Sequence, residues 1–205
     1  MAEFWNSILT EKSWNILVEL KKEQFKFVLI GGWAVYLWTK LNKSKDVDIA
    51  LKKIEDISYL KEKYTLKKND NLKKYEISIE EIDIDIYAPY FSKLSVPVEC
   101  LKDYSSKVEG FDVAIPEILL ILKQGAELNR KDSVKGTKDQ IDIIALLLFT
   151  DFNFKIYFEI LKKYALDNYF QRLKTIIKTF QEYSYLNLNP REFKIRKKKI
   201  IEKMK

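Results

Sequence analysis

Phe27–Leu51 reads FVLIGGWAVYLWTKLNKSKDVDIAL, and the pattern of this stretch decides the fold. Phe27–Ile30 is a short apolar run that fits a buried strand. Gly31 and Gly32 follow it and open a helix carrying Trp33, Ala34, Leu37 and Trp38. Glycine lets the backbone turn sharply and lets another group approach closely. The first turn of a helix offers free N–H groups and a positive dipole end, which suits phosphate. After a second turn, Lys45–Leu51 reads as a strand with Asp46 and Asp48 on one face and Val47 and Ile49 facing a core. Residues two apart on a strand point the same way, roughly 7 Å apart. Two acids in that relation are costly unless something positive lies between them, and a hard divalent cation such as Mg²⁺, which takes oxygen ligands, is the natural candidate.

Gly31-Gly32-x-Ala34 followed by Ser44-x-Asp46-x-Asp48 resembles the signature of the nucleotidyltransferase superfamily that includes DNA polymerase beta. Either half alone is weak; together, on strand–helix–strand, they are specific. The resemblance implies an α+β core, a mixed β-sheet flanked by helices, followed here by a C-terminal helical bundle. Many relatives place an arginine or lysine beside the serine or threonine; here Lys43 and Lys45 flank Ser44.

The bulk composition sets limits. The chain has 205 residues, 47% of them hydrophobic, with only 5 Gly and 4 Pro. This allows one large domain or two small ones and argues against long flexible linkers. A single cysteine, Cys100, excludes an internal disulfide framework and fits a reducing cytosol. The chain contains no histidine, which excludes Ser-His-Asp, Cys-His and His-ligated zinc chemistry. The N-terminal MAEFWNSILTEKSW, mixed and charged, does not read as a signal peptide, and the longest apolar run, Ile143–Phe149, is too short to span a bilayer. The expected location is cytoplasmic. The net charge is +7, and Arg191–Lys205 holds eight Lys/Arg against two Glu. The basic character therefore belongs to the tail, which can attract RNA through its phosphates or simply form a solvated helix face.

Other elements follow from periodicity. Trp5, Ile8, Leu9, Trp14, Ile16, Leu17 and Leu20 predict one or two helices. Ile54–Tyr64 reads as a helix, and Tyr64–Lys68 and Leu72–Ile79 as strands joined at Asn69-Asp70-Asn71. Glu81–Tyr87, EIDIDIY, alternates strictly, with Ile82, Ile84 and Ile86 on one face and Glu81, Asp83, Asp85 and Tyr87 on the other. Ser95–Asp103 reads as a connecting loop with a short turn, and Lys107–Ala114 as a last edge strand. Helices are expected at Pro116–Arg130, from Lys138, at Asn153–Tyr164 and at Asp167–Tyr183. Beyond the break at Asn187–Pro190, a basic helix over Arg191–Lys205 should place Phe193, Ile200, Ile201 and Met204 on one face. The expected division is an α/β domain over residues 1–115 and a helical domain over residues 116–205.

The pattern Pro116-Glu117, Lys123, Ala126, Arg130, Lys138-Asp139 and Asp142 resembles the abortive-infection and toxin-type minimal nucleotidyltransferases of the same superfamily. With the first motif it implies Mg²⁺-dependent (or Mn²⁺-dependent) transfer of a nucleoside monophosphate from an NTP to a hydroxyl acceptor. Asp46, Asp48 and Asp85 would hold the metal. Asp85, or Asp83, would be the third carboxylate of the family and take the proton of the attacking hydroxyl, with Asp85 preferred because its strand ends soon after it. Gly31, Gly32, Ser44, Lys45 and Lys123 would contact the nucleotide. Arg130 would lie beside the site, ion-paired with Asp139 or Asp142. The acceptor expected on this pattern is RNA, most simply tRNA, in a toxin or defence setting with a possible cognate antitoxin. The alternatives are a small-molecule acceptor such as an antibiotic, or a non-catalytic nucleotide-binding partner subunit.

Overall fold

The computed structural model describes residues 7–204. Trp5 and Lys205, which the sequence assigns to the first and last helices, lie outside them. Contacts divide the chain into two compact units, Met1–Ile115 and Pro116–Lys205.

The first unit is built on one seven-stranded mixed sheet. In chain order it runs α1 (Ser7–Lys22), β1 (Phe27–Ile30), α2 (Gly31–Thr39), β2 (Val47–Leu51), α3 (Asp56–Lys63), β3 (Lys67–Asn69), β4 (Lys74–Ile79), β5 (Ile82–Tyr87), β6 (Ser105–Val108) and β7 (Phe111–Ala114). The strand order is β3-β4-β5-β2-β1-β7-β6. β1 runs antiparallel to β2 and parallel to β7, and β2 runs parallel to β5. β1 is buried on both faces, as its unbroken apolar run requires. On one face of the sheet Val47, Ile49, Ile84 and Ile86 are fully buried. A slip of one residue in β2 or β5 would drive aspartates into that core, so the hydrophobic pattern pins the register. α1 is tied to α2 through the buried bond that Trp33 Nε1 donates to Ser13 Oγ, 2.7 Å, and through Trp14, whose ring centroid lies 5.0 Å from that of Trp33.

Several boundaries differ from those read in the sequence. The single edge strand expected at Lys107–Ala114 is a hairpin, β6–β7, turned at Glu109-Gly110, both with positive φ. β7 therefore lies inside the sheet between β1 and β6, and β6 is the edge. The strand Glu81–Tyr87 begins at Ile82, because Glu80 and Glu81 adopt positive φ in the tight β4–β5 turn. β4 starts at Lys74 because the turn after Asn69 extends through Lys73, again at positive φ. Val98–Tyr104 winds into a 3₁₀-helix where a loop was expected.

The second unit is helical: α4 (Pro116–Arg130), α5 (Val134–Phe149), α6 (Phe154–Lys163), α7 (Asp167–Thr179) and α8 (Pro190–Lys203). α5 begins earlier than Lys138 because Ser133 caps it, accepting from the Gly136 N–H. α7 stops at Thr179, before a 3₁₀-turn at Tyr183–Leu186. α8 starts with a capping box of Asn189 and Glu192 around Pro190. It docks through Phe193 and Ile200, and Ile201 is 43% exposed, so the inward face is narrower than the sequence suggested. Among the described residues no helix is long and apolar enough to cross a membrane.

Candidate functional site

Parallel pairing of β2 with β5 sets Asp48 directly beside Asp85. Neighbouring strands lie about 4.8 Å apart, so the two side chains leave the same face at close quarters. Asp85, not Asp83, is the register partner of Asp48. Asp83 is exposed on the same face two residues earlier, and its Oδ1 accepts a bond from Ser78 Oγ at 2.8 Å. Burial, reinforced by the negative charge of Asp48, pushes the Asp85 carboxyl up to about 6.

β4 contributes a further group, Lys74, which was not among the expected site residues. Lys74 Nζ donates to Asp85 Oδ2 at 2.6 Å and ion-pairs with Glu76 Oε1 at 3.0 Å. The Lys74 side chain is only 13% exposed. Burial works against its charge, but its bonds to Asp85 and Glu76 outweigh this and raise it above the ordinary lysine value. The hydrogen bond from Lys74 holds Glu76 below the ordinary carboxylate value. The signal was present as an alternation: Tyr75 and Ile77 pair with Ile86 and Ile84 on the apolar face, which leaves Lys74 and Glu76 on the face of Asp85.

The raised carboxyl has a measurable consequence. The folded chain binds the Asp85 proton more tightly than the unfolded chain, whose carboxyl titrates near the ordinary 3.8. Stability therefore falls as pH rises from about 4 to about 6 and is flat above that window. In a metal-free buffer, Asp85→Asn should be more stable than the parent at pH 7.5, by on the order of 2 kcal/mol. The gain should shrink towards zero near pH 4, and urea unfolding at the two pH values checks it.

The glycine turn stands over the same carboxylates. Ile30 pairs with Asp48 across the β1–β2 ladder, so the chain enters α2 directly beside this acid. Gly31 has φ +68, and a Cβ there would lie 2.0 Å from Asp48 Oδ2 and 2.6 Å from Asp48 Cβ. Glycine is thus required twice, for the left-handed backbone and for the approach of Asp48. Gly32 is buried in the first turn of α2. Ser44 is 2% exposed, Lys45 is half-buried and Asp46 is exposed, in the bend leading into β2.

Lys123 and Arg130 belong to the helical unit, where both engage aspartates. Lys123 Nζ lies 2.6 Å from Asp142 Oδ2 and 3.5 Å from Asp139 Oδ1. Arg130 forks onto Asp139 through Nε at 2.8 Å and Nη2 at 3.0 Å. Asp139 and Asp142 are buried, 1% and 2% exposed. A further buried acid, Glu127, takes Arg172 Nε at 2.8 Å and Gln140 Nε2 at 2.9 Å. Glu127 follows Leu120 and Gln124 at spacings of four and three, on the buried stripe of α4. That placement was its sequence signal.

Among the described residues no cluster of three or more acids or cysteines forms a ready metal cage. The Asp48–Asp85 pair nevertheless suits Mg²⁺, which keeps several waters and is commonly held by one or two carboxylates together with substrate phosphates. The donor set is all oxygen, and the two like charges meet where Gly31 leaves room for the Asp48 carboxylate.

No family model and no curated protein sequence matches the chain. Solved structures similar to it in fold include the following two. One is a nucleotidyltransferase candidate from H. pylori, 18% identical, with a TM-score of 0.52, covering 100% of this chain and 97% of that one. The other is JHP933 from Helicobacter pylori, 18% identical, with a TM-score of 0.50, covering 98% and 94%. The mixed sheet with its flanking and C-terminal helices is a nucleotidyltransferase-like fold.

Proposed function

We propose that the chain is a metal-dependent nucleotidyltransferase that moves a nucleoside monophosphate from an NTP to a hydroxyl acceptor. The observation that carries this is the pairing of Asp48 with Asp85 on adjacent parallel strands, under a glycine turn that opens α2. Asp48 and Asp85, with Asp46 at the entry of β2, would hold Mg²⁺ or Mn²⁺. Such an ion, when bound, neutralises charge on the triphosphate and on the leaving pyrophosphate.

The protein groups divide the remaining work. The N–H groups of Gly31 and Gly32 and the Ser44 hydroxyl would contact the triphosphate, with Lys45 supplying charge nearby. The acceptor oxygen bonds to the α-phosphorus, the α–β phosphoanhydride bond breaks, and pyrophosphate leaves. Asp85, the register partner of Asp48, would take the acceptor's proton as the general base. The ion pairs of Lys123 and Arg130 favour structural roles for both, which leaves the nucleotide contacts to the glycine turn and the Ser44 segment.

RNA is the proposed acceptor. Arg191, Lys194, Lys198, Lys199 and Lys203 are all exposed along α8, and such cations bind backbone phosphates. The pattern from Lys123 to Asp142 is the reason to place the chain in the toxin-type branch. Incubation with Mg²⁺, each α-labelled NTP and total tRNA tests the proposal. Label should pass to RNA with the full chain and not with Asp46→Ala/Asp48→Ala. A chain truncated after Pro190 should keep nucleotide binding and lose RNA labelling. Truncation without effect on labelling would remove the tail as the acceptor site.

A further inference from the structure

The Asp48–Asp85 pair already has one cation beside it, supplied by the chain. Lys74 reaches Asp85 from the neighbouring strand at 2.6 Å and is held from the other side by Glu76 at 3.0 Å. Glu76 pairs with Asp85 across the β4–β5 ladder, so the ammonium lies between two carboxylates on one face. With Lys74 13% exposed and Asp85 20% exposed, neither group is free to swing into solvent without breaking a largely buried ion pair. A surface lysine stabilising a strand pair would be solvated; this one is built into the acidic site.

We propose that Lys74 is a positioning residue that serves as the built-in counter-cation of Asp85. It fixes the orientation of that carboxylate and competes with a divalent ion for its oxygens. The inference deepens the proposed metal site and rests on it. Its consequence is directional. A divalent ion approaching Asp48 and Asp85 meets a fixed positive charge a few ångströms away, and part of Asp85's binding capacity is already committed. Lys74 thereby biases the site towards ions that arrive bridged by an anionic ligand such as a triphosphate, whose oxygens offset the ammonium. The bare ion is held weakly.

The test is titration calorimetry with Mn²⁺ alone at fixed pH, on the full chain. Lys74→Met should bind Mn²⁺ at least about tenfold more tightly than the parent, because a unit charge near the ion is removed at low effective dielectric. Lys74→Arg keeps the charge and should stay within about threefold of the parent, since it restores the repulsion. Lys74→Met also frees Glu76, so Lys74→Met/Glu76→Gln must retain the gain if the released Asp85 is its source. Lys74→Gln serves if the methionine variant fails to fold, as judged by thermal unfolding in chelator.

The failures separate. If neither the parent nor Lys74→Met shows Mn²⁺ binding that Asp48→Asn removes, the metal site itself falls, and the role of Lys74 falls with it. If the parent binds in an Asp48-dependent way but Lys74→Met and Lys74→Gln bind no tighter, the metal site stands. Lys74 is then only a staple between β4 and β5, and the inference is overturned.

Discussion

Gly31→Ala is expected to lower stability by about 3 kcal/mol or more and to abolish the proposed transfer at the Asp48–Asp85 pair. Two costs combine. An alanine held at φ +68 pays on the order of 1–2 kcal/mol for the left-handed backbone. The new methyl would also lie 2.0 Å from Asp48 Oδ2, 2.5 Å from its Cγ and 2.6 Å from its Cβ. The carboxylate cannot absorb this by rotating alone, because its own Cβ is in the way. Either β2 moves relative to the α2 entry or Gly31 leaves its turn, and both displace the acid from its place beside Asp85. Urea unfolding of Gly31→Ala measures the stability loss. Adding Asp48→Ala should recover only the part due to the carboxylate, leaving the backbone strain and the Cβ clash. Full recovery would mean that the backbone at Gly31 is not strained.

Arg172→Ala is expected to destabilise the helical unit by about 3–5 kcal/mol. Glu127 is 0% exposed. Its carboxylate is satisfied by both nitrogens of the Arg172 fork and by Gln140 Nε2. Removing the guanidinium leaves a buried charge with one neutral donor, and it is this uncompensated charge that costs so much. Arg172→Met/Glu127→Leu removes both charges and should recover most of the stability, because apolar replacement of a buried pair is often neutral. Equilibrium denaturation of the single and double variants decides it. A loss of less than about 1 kcal/mol in Arg172→Ala would place the pair among screened surface contacts.

Much of the N-terminal unit was legible because two periods alternate there without ambiguity. Phe27–Leu51 announces a strand, a glycine-led helix and a second strand, and the alternation of Ile82, Ile84 and Ile86 fixes the acidic face of β5. That same alternation could not choose between Asp83 and Asp85, since both point the same way. The choice comes from the β2–β5 register, a long-range property set by where Val47 and Ile49 meet Ile84 and Ile86. Lys74 is hidden for a related reason: a lysine in a lysine-rich stretch reads as solvated until its strand is placed against Asp85. The hairpin at Ser105–Ala114 was hidden because Glu109 takes a positive φ that its side chain does not announce, and only Gly110 hinted at it. For Lys123, position on α4 was readable but destination was not. A cation spaced to meet a phosphate is equally spaced to meet Asp139 and Asp142 on the next helix.

The proposed nucleotidyl transfer passes through the carboxylates of β2 and β5. The most direct measurement is pyrophosphate release from each NTP, with Mg²⁺ and total RNA, by the full chain and by Asp48→Asn side by side. The predicted result is Mg²⁺-dependent release by the parent with one or more NTPs, and release lower by roughly a thousandfold or more in the variant, as loss of a charge-stabilising group implies. Equal release by parent and variant would overturn this reading, because the chemistry would then not pass through the Asp48–Asp85 pair.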